Sequence, residues 1–321
     1  MTPNAKVLIS SIMNNTNLRQ PNIPPASYDL HLHTYWSYDA TAEPEMHFRR
    51  ARELGVRCIA ITEHHNIDSA EEVRVIAEQY PDVRLIVAAE LTVTTTFGSI
   101  DLLCYNLPRH SSGEFAKVLD EYHQWQRAAG ASRSQGMQAL GYDYSDAKRL
   151  ELLQSYRPAH VIEVQGATHV QGGRQMDYFI EQGYFASKED YNARGSIPSP
   201  PYPAVERVIP AVKAAGGIVV LAHPTLYVQG EDVDRLHAIH HECQLDGIEC
   251  AHPRVSPELT LFYRAYCEKH GMISTGGSDC HHASQILHQD SNEQTDEEPK
   301  FAAISEKTPG LRSFWNELSN C

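Results

Sequence analysis

The feature that most constrains this chain is a recurring unit. A short apolar run ends in His, Asp or Glu, then gives way to a polar loop and an amphipathic stretch. From Tyr28 onward, runs at 28–33, 57–62, 84–89, 100–105, 218–222, 247–250 and 272–275 have the length and apolar content of buried strands. Stretches at 43–54, 69–79, 204–215, 232–243 and 257–270 have helical periodicity. Gly55, Gly216 and Gly271 stand where a helix end needs a left-handed residue. Ser256-Pro257-Glu258 combines a capping hydroxyl, a first-turn proline and an acid at the positive end of the helix dipole. Strands alternating with helices imply an α/β fold, and about seven such units imply a barrel.

Residues 107–201 break the rhythm. They hold helical stretches at 113–129, 146–154 and 173–182, then a proline-rich segment, Ile197–Pro203. This region reads as a mostly helical insertion covering one mouth of a barrel built from 28–106 and 202–290. Residues 1–27 read as a polar tail punctuated by Pro21, Pro24 and Pro25. Residues 291–321 read as a second tail, with an acidic run Glu293–Glu298 and a helical pattern near Leu311–Leu318. The apolar patch Val7–Met13 lacks a basic lead and a small-residue cleavage site, so it is not read as a signal peptide. No apolar run approaches the roughly 18 residues of a membrane span. The 7 cysteines are scattered without a Cys-x-x-Cys pair, which implies reduced thiols and a cytoplasmic location. Cys58 and Cys250 fall inside strand runs and read as small core residues.

The chemistry sits at the strand ends. Asp29-Leu30-His31-Leu32-His33 alternates, so His31 and His33 point together. Alone, a His-x-His pair is a weak metal signal. Ile61-Thr62-Glu63-His64-His65, Ala88-Ala89-Glu90, Ile100-Asp101, Leu221-Ala222-His223-Pro224 and Gly276-Gly277-Ser278-Asp279-Cys280-His281 extend the pattern. Ordinary polar caps are Ser, Asn or Gly rather than hard oxygen and imidazole donors. In a parallel barrel these strand ends share one face, where active sites are built. His and carboxylate without thiolate suit Mn, Zn, Fe or Mg. The donors exceed what one ion uses, which implies two or three ions and phosphoryl-transfer or hydrolytic chemistry. The 18 histidines fit that reading. A net charge of −14 argues against clamping a long nucleic-acid duplex, but a small anionic substrate remains compatible once cations are bound.

These motifs, in this order over residues 28 to about 285, resemble those of the PHP (polymerase and histidinol phosphatase) metal-dependent phosphoesterases. Gly247-Ile248-Glu249 to His252-Pro253, Ser256-Pro257-Glu258 and Gly271–His281 are most similar to one branch: nucleoside 3′,5′-bisphosphate phosphatases and related 5′-to-3′ RNA exonucleases. Arg157-Pro158-Ala159-His160 and Gly183–Glu189 look like that branch's helical cap. The resemblance implies a distorted (β/α)7 barrel with a metal site of His31, His33, Asp39, His64, Glu90, Asp101, His223, Asp279 and His281, with Glu90 bridging ions. It implies a small phosphorylated substrate, a nucleotide 3′-phosphate or a short RNA end, hydrolysed by metal-bridged hydroxide attack on phosphorus. Asp39 or His223 would protonate the leaving oxygen, and Arg157, His160 and Arg254 would hold a second phosphate. The sequence departs from the family at Glu63, where Asp is usual, and at Asp101, where His is frequent. A sugar phosphate, a cyclic phosphate or histidinol phosphate is an alternative substrate, and an inert metal-binding module is an alternative of another class. His65, Glu249 and His252 adjoin the motifs as residues able to orient ligands. His237 and His241 read as a solvated helix face, and the tyrosines of the insertion as packing residues or a base-stacking surface.

Overall fold

The computed structural model describes residues 28–195 and 197–282. The expectations for 1–27 and for 291–321 lie outside those residues. The seven apolar runs form one sheet in chain order: β1 (Tyr28–Leu32), β2 (Cys58–His64), β3 (Arg84–Thr95), β4 (Gly98–Tyr105), β5 (Ile218–Leu221), β6 (Gly247–Ala251) and β7 (Ile273–Gly276). After β7 the chain returns to β1, where Leu32 bridges Cys280 and the His33 amide donates to the Cys280 carbonyl at 2.9 Å. The sheet thereby becomes a nearly closed barrel. Ten helices accompany it among the described residues: α1 (Pro44–Leu54), α2 (Ala70–Ala77), α3 (Gly113–Ala139), α4 (Asp146–Gln154), α5 (Ala159–Gln165), α6 (Gly172–Glu181), α7 (Lys188–Arg194), α8 (Val205–Ala214), α9 (Val233–Glu242) and α10 (Pro257–His270).

Alternation along the strands sorts the core into layers. Leu30, Cys58, Ala60, Leu103, Tyr105 and Val220 fill one buried cluster across the strands. Their neighbours Ile59 and Ile61 pack with Phe48 and Val73 of α1 and α2. Leu102, Val219 and Leu221 pack with residues of α3, α8, α9 and α10. Each Val, Leu, Ile or Phe side chain so buried contributes roughly 1.5–3 kcal/mol.

One strand departs from the expected parallel pattern. β4 runs antiparallel to both β3 and β5. β3 does not end at 89 but continues to Thr95, then turns through Thr96 and Phe97 into Gly98. Gly98 has φ 99°, a conformation that glycine adopts at little cost. β3 and β4 are therefore a hairpin rather than two crossover units. The open end of the barrel is set by the C-terminal ends of the parallel strands, and β4 starts there.

The reversal also explains α3. β4 delivers the chain to the closed end of the barrel, and α3 carries it back along the wall. Its 27 residues span roughly 40 Å at 1.5 Å each. Near mid-helix the Tyr122 hydroxyl donates to the Thr92 carbonyl at 2.7 Å, and Gln126 donates to the His64 carbonyl at 3.1 Å. The helix continues beyond the expected end at 129. A Cβ on Gly130 would meet the Thr168 carbonyl oxygen at 2.7 Å, and one on Gly136 would meet Ile197 at 2.6 Å. These glycines serve close packing rather than helix termination. Met137, Tyr144, Phe179, Phe185 and Tyr191 then form a separate apolar cluster, ringed by Tyr142, Tyr178 and Tyr184. Phe179→Ala empties the centre of that cluster and is expected to lower unfolding free energy by about 3–5 kcal/mol in urea titration. A loss below about 1 kcal/mol would show that the cluster is not a packed core.

Candidate metal centre

β1 carries His31 and hands the chain directly to His33, and the two rings turn to the same place. His31 and His33 are fully buried, and their Nε2 atoms lie 3.1 Å apart. Glu90 of β3 reaches both, with Oε2 at 3.1 Å from His31 Nε2 and 3.3 Å from His33 Nε2. Asp279 Oδ1 is 3.4 Å from each. The other oxygen of Glu90 is 2.9 Å from His223 Nε2, and that nitrogen is 4.0 Å from Asp101 Oδ2. His64 Nδ1 is 3.4 Å from Glu90 Oε2, and its Nε2 is 3.2 Å from Asp39 Oδ2. His281 Nε2 completes that side at 3.4 Å from the same Asp39 oxygen. Glu90 thus borders three donor groups, two of them containing it: His31–His33–Glu90–Asp279, Glu90–Asp101–His223, and His33–His64–His281.

The residues behind the rings fix their protons. The Ser37 hydroxyl donates to Glu63 at 2.6 Å, so its oxygen is left to accept from His33 Nδ1 at 3.1 Å. Glu249 accepts from His31 Nδ1 at 2.9 Å, and its other oxygen accepts from the His223 amide at 2.7 Å. With the proton on Nδ1, His31 and His33 would each turn an Nε2 lone pair toward the other and toward two carboxylates. Such groups repel unless a cation lies among them. Buried Asp39 Oδ1, His223 Nδ1 and His252 Nε2 also lack a hydrogen-bond partner. The donor set fits divalent ions bound by imidazole and carboxylate.

Without metal, protons take the cation's place. Burial opposes charge on His64, but the Asp39 and Glu90 carboxylates push it up to about 10. Burial likewise opposes charge on His281, and Asp39 pushes it up to about 9. Despite their own burial, Asp39, Glu90 and Asp279 are held well below the usual carboxylate range by surrounding imidazoles.

A second set of residues holds the first in place. Glu63 faces away from the donors and accepts from the Thr34 amide at 3.2 Å and from the hydroxyls of Thr34 and Ser37. Burial pushes its carboxyl up to about 7. Asp29, raised to about 7 by burial, accepts from the Ser278 amide at 3.0 Å. His47, lowered to about 4 by burial, is neutral and lies 2.8 Å from the His33 carbonyl. Backbone strain concentrates here as well: His65, His223 and Asp279 have φ of 65°, 25° and 55°. A methyl group on Gly277 would collide with the backbone of His31. That glycine lets the segment after β7 lie against β1.

A family model described as the PHP domain matches residues 29–306. The chain belongs to the PHP domain family. The 5′-3′ exoribonucleases Rnm of Escherichia coli (strain K12) and Salmonella typhimurium are 28% and 27% identical over 265 and 270 residues, each alignment covering 79% of this chain and 85% of the relative. A metal-dependent phosphoesterase candidate from Bifidobacterium adolescentis superposes with a TM-score of 0.61 at 24% identity, covering 80% of this chain and 89% of that one. An amidohydrolase from Chromobacterium violaceum, with sulfate and no metal bound, has a TM-score of 0.66 at 18% identity, covering 92% and 96%. These two likenesses show the barrel fold. As a PHP protein with clustered imidazoles and carboxylates, the chain is a metal-dependent hydrolase of phosphoesters.

All nine donors named from the PHP motifs lie together at the open end. Two arrive differently from expectation. Glu90 sits inside β3 opposite His64, not at a strand end. Asp101 lies near the start of β4 and reaches the mouth because that strand is reversed. Its oxygens accept from the Thr92 and Tyr227 hydroxyls, each at 2.6 Å. Nothing in the sequence marks Thr92 or Tyr227 as special. Arg157 is a correction. It is buried, and its guanidinium donates to the Trp36 carbonyl at 3.2 Å and to Gln165 at 2.6 Å, which leaves no open fork for phosphate. His160 lies edge-on to Tyr35 and Trp36, and Arg254 is exposed next to His252. His252 Nε2 is 3.4 Å from Asp279 Oδ2, so it stands closer to the donors than its sequence position alone revealed.

Ser37→Ala removes the acceptor behind His33 and is expected to weaken metal affinity about 10–100-fold in a chelator-competition titration. Unchanged affinity would show that the hydroxyl does not orient the ring. The raised histidines also set a pH dependence. Their protons stabilise the metal-free fold fully below the ordinary value of 6.5, and that stability is lost as pH rises through about 9 and 10. The melting temperature of chelator-treated protein is therefore expected to fall between pH 6.5 and 9, and saturating metal to flatten the fall. A rise over that interval would contradict the charge assignment.

Proposed function

We propose that this PHP enzyme hydrolyses a terminal phosphoester of a nucleotide or short single-stranded RNA, using two or three divalent ions of the Mn, Zn, Fe or Mg class. The observation that carries the reading is the carboxylate of Glu90 at the junction of three donor groups. We assign His31, His33, Asp39, His64, Glu90, Asp101, His223, Asp279 and His281 as the ligands. Bound divalent ions would polarise phosphoryl oxygens and lower the pKa of bound water.

The chain's own residues do the rest. Glu249 and Ser37 keep the imidazoles of His31 and His33 in the tautomer that exposes Nε2. The side chains of Asp39, Asp279 and Asp101 are 16%, 20% and 26% exposed, so the outer edge of the centre is open to a small ligand. Of the two candidates, Asp39 is kept ionised by the His64 and His281 imidazoles, so we assign His223, whose Nδ1 lacks a partner, to hold a proton toward the leaving oxygen.

The substrate class rests on the walls. We propose that residues 107–201 act as a cap over the mouth. Tyr38, half-buried beside Asp39, lies 4.1 Å from the His169 ring and 5.2 Å from the His64 ring. Trp125 and Tyr202 stack at 4.1 Å nearby. Rings of this kind can stack a base whatever its identity. We assign Arg254, exposed and with its amide donating to His252 Nδ1 at 3.0 Å, and His160, edge-on to Tyr35 and Trp36, to hold a second phosphate. The exoribonuclease relatives fit a nucleotide end as substrate.

The test is turnover of adenosine 3′,5′-bisphosphate and of a 5′-phosphorylated oligoribonucleotide by manganese-loaded protein. Wild-type turnover of either, lost by at least about 1,000-fold in Asp279→Ala, would support the reading. No turnover of both, with metal bound, overturns this substrate class and favours sugar or cyclic phosphates. Arg254→Ala is expected to raise KM about tenfold with little change in kcat.

A further inference from the structure

Away from the barrel mouth, three imidazoles converge. His237 and His240 lie one turn apart on α9, and His270 ends α10. One ring nitrogen from each lies within 4.8 Å of the others. The ring centroids are 6.1, 5.7 and 5.9 Å apart. Tyr266 sits behind them, almost wholly buried, with its hydroxyl 3.2 Å from His237 Nδ1 and 3.1 Å from His240 Nδ1. Its ring lies 4.3 Å from the ring of His270. The triad was not legible as the pair His237 and His241, because the third imidazole comes from another helix.

We propose that His237, His240 and His270 bind one zinc-class divalent ion at the closed end of the barrel, separate from the PHP centre. Three imidazoles without carboxylate select Zn, Cu or Ni over Mn or Mg. A tetrahedral ion would take water as its fourth ligand at the solvent side. His237 is exposed and His270 stands at the end of its helix against Tyr266, so a small rotation of the His237 side chain brings the rings toward bonding distance. The phenol oxygen of Tyr266 can accept from ring N–H groups and orient them, as partners behind metal-bound imidazoles do.

The surroundings favour a cation. His240 and His241 are in the last turn of α9, and Lys269 and His270 in the last turn of α10. Two helix C-termini therefore direct their negative ends to this region. Burial and the neighbouring imidazoles of His270 and His237 hold His240 below its ordinary range, in the neutral form a metal needs. These helix ends precede β6 and β7, whose opposite ends lead to Glu249, His252 and Asp279. On a barrel, that face serves stability rather than chemistry. The ion would clip α9 to α10 where both hand the chain to the sheet.

The experiment counts zinc on the full chain by native mass spectrometry and follows melting temperature with added zinc. The His237→Gln/His270→Gln variant is expected to bind one equivalent fewer than wild type and to lose part of the zinc-induced rise in melting temperature. Its circular dichroism and manganese-supported turnover are expected to match wild type. His241→Gln, adjacent but outside the triad, is expected to keep the full count. An equal count in wild type and double variant, or the same loss in His241→Gln, overturns the proposal. Should the double variant misfold, His270→Gln alone, at the exposed helix end, is expected to show the same loss of one equivalent, and a full count there overturns the proposal equally.

Discussion

Everything at the mouth of this barrel depends on holding together groups that repel one another. Two ionised carboxylates about 4 Å apart cost roughly 4 kcal/mol at the effective dielectric of a protein surface. Here Asp39, Glu90 and Asp279 gather around five imidazoles in a site largely removed from water. The backbone supplies the restraint. The β2–β3 register sets His64 opposite Glu90, and a bulge in β1 shifts its pairing with β2 between Asp29 and Leu32. Glu249 ties together three strand ends by accepting from a β1 ring and from the amide after β5 while itself standing on β6.

The same restraint appears as local strain. His65, His223 and Asp279 each adopt a backbone conformation that costs of order 1–3 kcal/mol for a non-glycine residue. All three lie within three residues of a strand end, where they re-aim the next side chains. Gly277 contributes in the opposite way, by having no side chain where the backbone of His31 passes. The hydrophobic layers on both sides of the sheet hold these conformations in place.

Much of this was legible in the sequence for a simple reason. Period-two apolar runs specify strands, and an imidazole or carboxylate at the end of such a run has few structural uses. His31, His33, His64, His223, Asp279 and His281 were visible on that basis. Asp101 was placed on the right strand but for an incomplete reason. Only ten residues separate the runs at 84–89 and 100–105, too few for the crossover that a parallel pair requires, so the hairpin was implied by spacing alone. Arg157 misled because a guanidinium fork matches backbone carbonyls as well as phosphate, and residue type does not say which it meets. Ser37, Thr92, Tyr227 and Tyr266 were silent, since their importance lies in partners far away in the chain. The full length of α3 was hidden by Gly130, where a packing need looks like a stop signal.

That helix has a mechanical consequence. It is one continuous rod from the barrel wall to the aromatic cluster beyond the mouth, and the two glycines where a rod might bend are clamped against Thr168 and Ile197. A helix braced in this way cannot hinge at either glycine, so it carries the aromatic cluster at its far end as a rigid extension of the barrel wall.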